Sequence, residues 1–270
     1  MIVLDVGCYR ELLVPATLRQ VVASVRASGQ AIWPSQANAF EIIKYDNHRR
    51  RNQLLTVLQE LKGDRPLLLW PQDLLKRIAV ALVKRETRFP VAPALVDKII
   101  ADPRLLKPEH VKEVRTFLET EEANMQQAAK QGRKAARAII KARGGGKPFS
   151  SAQDFLSLWS DAKNLAWYID YDLKSIELTV DEALRAALLA NPEWRLHYDI
   201  TGVAMYRQMM EPKEPRWVGR VDLGQVIYLG EADVLVSRDN AFLEAATDAV
   251  IGRYANKRIM SWQEFLALVG

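Results

Sequence analysis

Asp233-Val234-Leu235-Val236-Ser237-Arg238-Asp239-Asn240 carries the decisive pattern of this chain. Three branched apolar residues bounded by polar ones read as a short buried strand. The strand ends in Ser-Arg-Asp, and a helix is predicted from Asn240 to Ile251. The chain opens the same way. Ile2-Val3-Leu4 is a second apolar run, it closes on Asp5, and the strand is predicted over Ile2–Val6. Two strands far apart in sequence thus each deliver a carboxylate at their end. In an open parallel sheet, ligands bind outside the carboxyl ends of the strands.

Working outward, the N-terminal strand is followed by a predicted helix over Leu12–Ala27, ended by Gly29. Ala31-Ile32-Trp33 reads as another short strand, stopped by Pro34. Ser35 caps a predicted helix Gln36–Tyr45, and Asn52–Leu61 continues helical up to Gly63-Asp64. At the other end, Val221–Leu229 reads as a short helix, Asp233–Ser237 and Lys257–Ser261 as strands, and Trp262–Leu268 as the closing helix. Alternating strands and helices imply a parallel sheet with covering helices. Between the two ends the pattern is almost wholly helical, punctuated by prolines and by Gly144-Gly145-Gly146-Lys147-Pro148. The expected architecture is therefore a discontinuous α/β core, residues 1–64 and 216–270, carrying a helical insertion over 65–215 that packs partly on it.

Acids cluster in this core. Glu41 lies on the helix after the second strand, and Asp222 opens the helix before the Val234 strand. With Asp5 and Asp239 they would make four carboxylates at one rim. Such a group repels itself, and the usual relief is a divalent cation with oxygen ligands. Asp233 precedes its strand and would face the opposite rim. The histidines are His48, His110 and His197, with no Cys or His partner at metal-ligand spacing.

These residues resemble PIN-domain ribonucleases. The carrying motifs are Ile2-Val3-Leu4-Asp5; Pro34-Ser35 followed by Glu41; Asp222, and then the strand ending in Ser237-Arg238-Asp239; and the closing stretch Arg258–Leu266. The likeness covers roughly residues 1–62 and 216–270, and its C-terminal part is the most specific. Val6 and Gly7 stand where the family commonly has a polar pair. The resemblance implies a three-layer α/β/α fold around a short parallel sheet. It also implies that Asp5, Glu41, Asp222 and Asp239 bind one or two Mg²⁺ or Mn²⁺ ions and hydrolyse RNA. A nuclease acting on DNA flaps or single strands fits the same residues. So does a domain of this fold that binds RNA or protein without cutting.

The substrate would be met by Ser35, Ser237 and Arg238 beside the acids and by two basic stretches. Lys130, Arg133, Lys134, Arg137 and Lys141 fall at helical spacings of three, four or seven and share a face, which suits a phosphate backbone. His48-Arg49-Arg50-Arg51 follows Glu41 closely, which brings Arg49 and Arg50 towards the substrate path.

Bulk properties are those of a globular protein, and they permit nucleic acid as a partner without demanding it. The net charge is +5 over 270 residues, mildly basic. The single cysteine, Cys8, forbids an intramolecular disulfide and reads as a small buried residue. The first residues lack a basic leader, and no apolar run approaches the roughly 20 residues of a membrane span. A cytoplasmic protein without membrane contact is expected. The target RNA, the oligomeric state and an inhibitory protein partner are left open by the sequence.

Overall fold

The computed structural model describes residues 1–84, 95–142, 149–159, 166, 169–170, 173, 178, 180–210, 224–250, 253–254 and 256–269. The chain is mixed α/β, mostly helical, around a small parallel sheet. Strands β1 (Ile2–Leu4), β2 (Val234–Ser237) and β3 (Arg258–Ser261) run side by side in that order. Their register pairs Val3 with Leu235 and Leu235 with Ile259. The N-terminal strand thus lies directly beside one from the far end of the chain.

The other expected strand, Ala31–Trp33, shortens to a single parallel bridge between Ile2 and Ile32. Pro34 has no N–H to extend the ladder. The chain instead accepts Leu68 there, through Leu68 N–H to the Pro34 carbonyl and Gln36 N–H to the Leu68 carbonyl.

The helices are α1 (Val6–Tyr9), α2 (Pro15–Ala27), α3 (Gln36–Ile43), α4 (His48–Lys62), α5 (Pro71–Lys84) and α6 (Leu95–Ala101). They continue with α7 (Pro108–Ala142), α8 (Ala152–Trp159), α9 (Glu182–Ala190), α10 (Pro192–Met210), α11 (Asn240–Val250) and α12 (Trp262–Val269). The first strand stops at Leu4 rather than Val6, because Asp5 is the N-cap of α1. α4 begins four residues earlier than its apolar pattern suggests, because Asn47 caps it by accepting from Arg50 N–H. Of the expected helix Val221–Leu229, residues 224–225 are α-helical and lead into a 3-10 turn, Val226–Gly230; residues 221–223 lie outside those described.

Side chains alternate across the sheet with period two. Ile2, Leu4, Val234, Val236 and Met260 pack against α2, α3, α4, α6 and α12. Val3, Leu235 and Ile259 point the other way, onto α5, α9, α10 and α11. Three of those last four helices belong to the middle of the chain. Burying a Leu or Val is worth about 2 kcal/mol, so the middle region contributes substantially to one whole face of the sheet. Among the described residues no helix is long and apolar enough to cross a membrane.

Candidate functional site

The site starts from the end of β1. Asp5 N–H donates to the Val236 carbonyl at 2.8 Å, carrying the strand register one step further. Alternation then turns the Asp5 and Ser237 side chains to the same side. Ser237 Oγ donates to Asp5 Oδ2 at 2.9 Å and accepts from Asp239 N–H at 3.0 Å. Asp5 is only 6% exposed. Its second oxygen, Oδ1, is buried with no hydrogen-bond partner among the described residues.

Burial pushes the Asp5 carboxyl above the ordinary aspartate range. The Ser237 hydroxyl, the Val6 and Gly7 N–H groups and the Gln225 amide pull the other way and do not cancel it. The two N–H groups act without forming a full side-chain capping bond. A methyl group at Gly7 would sit 3.3 Å from Asp5 Oδ2, so a larger residue would crowd the carboxylate.

Two buried side chains complete the surroundings, and sequence reasoning missed both. Asn38 is fully buried and Gln225 is 1% exposed. Asn38 Nδ2 donates to the Leu4 carbonyl at 3.1 Å and to Gln225 Oε1 at 3.3 Å. Asn38 Oδ1 accepts from Ser35 N–H and Ser35 Oγ–H, and Ser35 Oγ accepts from Asn38 N–H. This is a capping box with asparagine in place of the usual Glu or Gln at the third helical position. The Ser35-x-x-Asn38 spacing was a readable signal. Gln225 had none, since its partners come from elsewhere in the chain.

The remaining expected residues are placed as follows. Glu41 stands three residues beyond Asn38 on α3, a spacing that makes the two side chains neighbours, and it forms an ion pair with Lys44. Asp239 is exposed and caps α11, with Oδ1 accepting from Ala241 and Phe242 N–H at 2.8 and 3.1 Å. Arg238 pairs with Glu11. Ser35 is fully buried in its capping box, with no exposed surface to offer a substrate.

Arg49 and Arg50 are exposed in the first turn of α4. Lys141 is exposed near the end of α7; the side chains of Lys130, Arg133, Lys134 and Arg137, on the same helix, lie outside the described residues, as does Asp222. Asp233, at the opposite end of β2, pairs with the Met1 amine. The Cys8 thiol is buried and donates to the Val236 carbonyl, and burial pushes its pKa well up, which makes it a poor nucleophile.

Asp5 and Ser237 are therefore brought together, and Asp239 joins them through its backbone. Among the described residues no group of three or more His, Cys, Asp or Glu could hold a metal ion, so Asp5, Glu41 and Asp239 do not make one by themselves. The chemistry of Asp5 nevertheless fits a cation. A desolvated carboxylate oxygen without a donor is answered by a proton or by a hard cation. The capping bonds of Asp239 use one oxygen. Glu41 is held by a lysine with a partly exposed side chain that a stronger cation can displace.

Comparison of the chain with protein-family models, with curated proteins and with solved structures finds no significant match in any of the three.

Proposed function

We propose that this protein is a metal-dependent endoribonuclease of the PIN-like type, working at the carboxyl end of its parallel sheet. The supporting observation is Asp5: a buried carboxylate at the end of β1, with one oxygen fixed by Ser237 and the other without a partner among the described residues. Asp5, Glu41, Asp222 and Asp239 would hold Mg²⁺ or Mn²⁺. When bound, the ion activates water for attack on phosphorus and offsets charge on the leaving oxygen. The chain supplies positioning. Ser237 fixes the rotation of the Asp5 carboxylate, and Gln225 and Asn38 anchor the end of β1.

The test is incubation of the purified chain and Asp5→Asn with single-stranded RNA and DNA, in Mg²⁺, Mn²⁺ or chelator. Internal cleavage of RNA by the wild type, only with metal, is expected. Cleavage in excess chelator, or equal cleavage by Asp5→Asn, overturns the reading; preference for DNA replaces its substrate class. A second reading is a module of this fold that binds without cutting. The Glu41–Lys44 pair and the capping role of Asp239 favour it, since both occupy acids that a metal would need.

A further inference from the structure

The segment between α3 and α4 is held by three guanidinium groups from three parts of the chain. Arg51, on α4, donates from Nη1 to the Tyr45 carbonyl at 2.9 Å. Arg115, on α7, donates from Nη2 to the Lys44 carbonyl at 3.1 Å and pairs with Asp46. Arg10, after α1, lies over the Tyr45 ring, 5.3 Å from its centre. Lys44, Arg49 and Arg50 border the same segment. Six cations thus gather around one turn, and among the described residues the acids in contact with them are Glu41, on Lys44, and Asp46, on Arg115. The Asp46 side chain is 91% exposed, so its ion pair is weak in water.

This gathering works against stability. Arg51 is 9% exposed, its Nε has no hydrogen-bond partner among the described residues, and both burial and Arg115 lower its pKa. His48, Arg49 and Arg50 occupy the first turn of α4, which has no acid there. That end of a helix carries partial positive charge and favours anions. Among the described residues Arg10, Arg49 and Arg50 have no carboxylate partner. Cations set against one another and against a helix terminus are relieved by an external anion.

We propose that the turn 44–47 and the start of α4 bind successive phosphates of a single RNA strand. Guanidinium groups match phosphate oxygens in a two-pronged geometry. None of the large apolar side chains exposed among the described residues belongs to the patch, and a protein interface would need an apolar centre. The polyanion therefore contacts it through charge. That it is RNA rests on the function proposed above, and Lys44, paired with Glu41, links the patch to the acid-bearing helix. To the arginines visible as a run in the sequence the structure adds Arg10, Lys44 and Arg115.

The test is equilibrium binding of a fluorescent oligouridylate to the full chain in chelator, over a range of KCl. Arg49→Gln/Arg50→Gln should lower the log–log salt slope by about 1.4, at about 0.7 per lost single-strand phosphate contact, and weaken binding more than about tenfold at moderate salt. Arg10→Gln, measured separately, should lower the slope by about 0.7; it stands in if the double variant does not fold. Unchanged slopes overturn the patch. So does equal competition by polyglutamate, which would assign the surface to an acidic protein. Binding is read without cleavage, so the two readings fail separately. A chain that binds as expected yet never cuts loses only the nuclease reading. A chain that cuts with Mn²⁺ while ignoring Arg10, Arg49 and Arg50 loses only the patch.

Discussion

Asp5 and Asp199 are both aspartates buried in the folded chain, 6% and 1% exposed, and the fold answers them in opposite ways. Asp199, on α10, accepts from Arg253 Nη1 at 2.8 Å on one oxygen. Its other oxygen accepts from the Tyr254 hydroxyl at 3.1 Å and lies 3.5 Å from Arg195 Nε. Two cations and a hydroxyl thus meet one carboxylate, and together they tie α10 to the segment after α11. Asp5 has a serine on Oδ2, weaker pulls from the Val6 and Gly7 N–H groups and the Gln225 amide, no hydrogen bond to Oδ1 and no cation in contact among the described residues. A buried charge without compensation costs several kcal/mol. Asp199 is a joint of the fold. Asp5 is a deficit that the fold maintains at the end of its sheet, and groups perturbed in this way cluster at functional sites.

Breaking Asp5 should have the largest effect on activity. Asp5→Asn is expected to lower metal-dependent cleavage by about a thousandfold, several kcal/mol of lost charge stabilisation. Metal-free stability should go the other way. A carboxyl raised by burial binds its proton more readily folded than unfolded. Its stability penalty is therefore absent below the unfolded value of about 3.9 and grows as pH rises through the window up to the folded value. In chelator, Asp5→Asn should melt above wild type at neutral pH, and the two curves should converge on acidification. A variant that melts lower at every pH would make Asp5 a structural residue like Asp199.

Asp199→Ala should show the contrasting behaviour: no specific effect on chemistry and a large loss of stability. Removing one member of a buried ion pair costs about 3 kcal/mol, near the low end of its range because Arg195 and Arg253 keep some solvent contact. Urea denaturation would measure it. Loss of activity beyond the unfolded fraction would blur the distinction between the two aspartates.

Ser237→Ala sharpens the comparison from the side of the serine. It removes the donor to Asp5 Oδ2 and leaves Asp239 N–H without its acceptor. A loss of about 1–2 kcal/mol is expected. A serine that merely packed would stop there. Because its hydroxyl favours the charged form of Asp5, its removal should raise the Asp5 pKa further and move the acid limb of the cleavage profile to higher pH. An unmoved limb, with stability reduced, would confine Ser237 to packing.

Asp5, Ser237 and Asp239 were legible in sequence because each sits at the end of a short apolar run, where period two and the strand end fix its place. The buried side chains around the end of β1 were not. The Ser35-x-x-Asn38 spacing announces a capped helix start but not the bond from the Asn38 amide to the Leu4 carbonyl, and Gln225 is 187 residues away from Asn38. The same limit hid Arg253 from Asp199. The middle region was expected to pack partly on the core, but which face it meets was not legible: Trp194, Tyr198 and Val203 on α10 pack in the same core as Val3 and Leu235. Helical periodicity announces a buried face without saying what covers it.

The smallest expected effect decides whether Asp239 belongs with Asp5 or with the caps. Its Oδ1 accepts two N–H groups at the start of α11, the work of an ordinary N-cap. Asp239→Ala should therefore cost about 1 kcal/mol in chelator. Asp239→Asn keeps a capping oxygen and loses only the favourable charge at the helix start, a few tenths of a kcal/mol. Capping alone predicts that both variants respond to Mn²⁺ as wild type does. Ligation predicts that Asp239→Asn, near wild type without metal, gains less in melting temperature when Mn²⁺ is added, because weaker binding gives less stabilisation by mass action. Thermal melts of wild type, Asp239→Asn and Asp5→Asn, each with Mn²⁺ and with chelator, separate these outcomes. A reduced shift in Asp5→Asn alone would leave Asp239 as a cap and shift the metal-holding burden to Asp5, Glu41 and Asp222. Equal shifts in all three proteins would mean that any Mn²⁺ they bind sits away from the end of β1, and Asp5 would have to be explained without it.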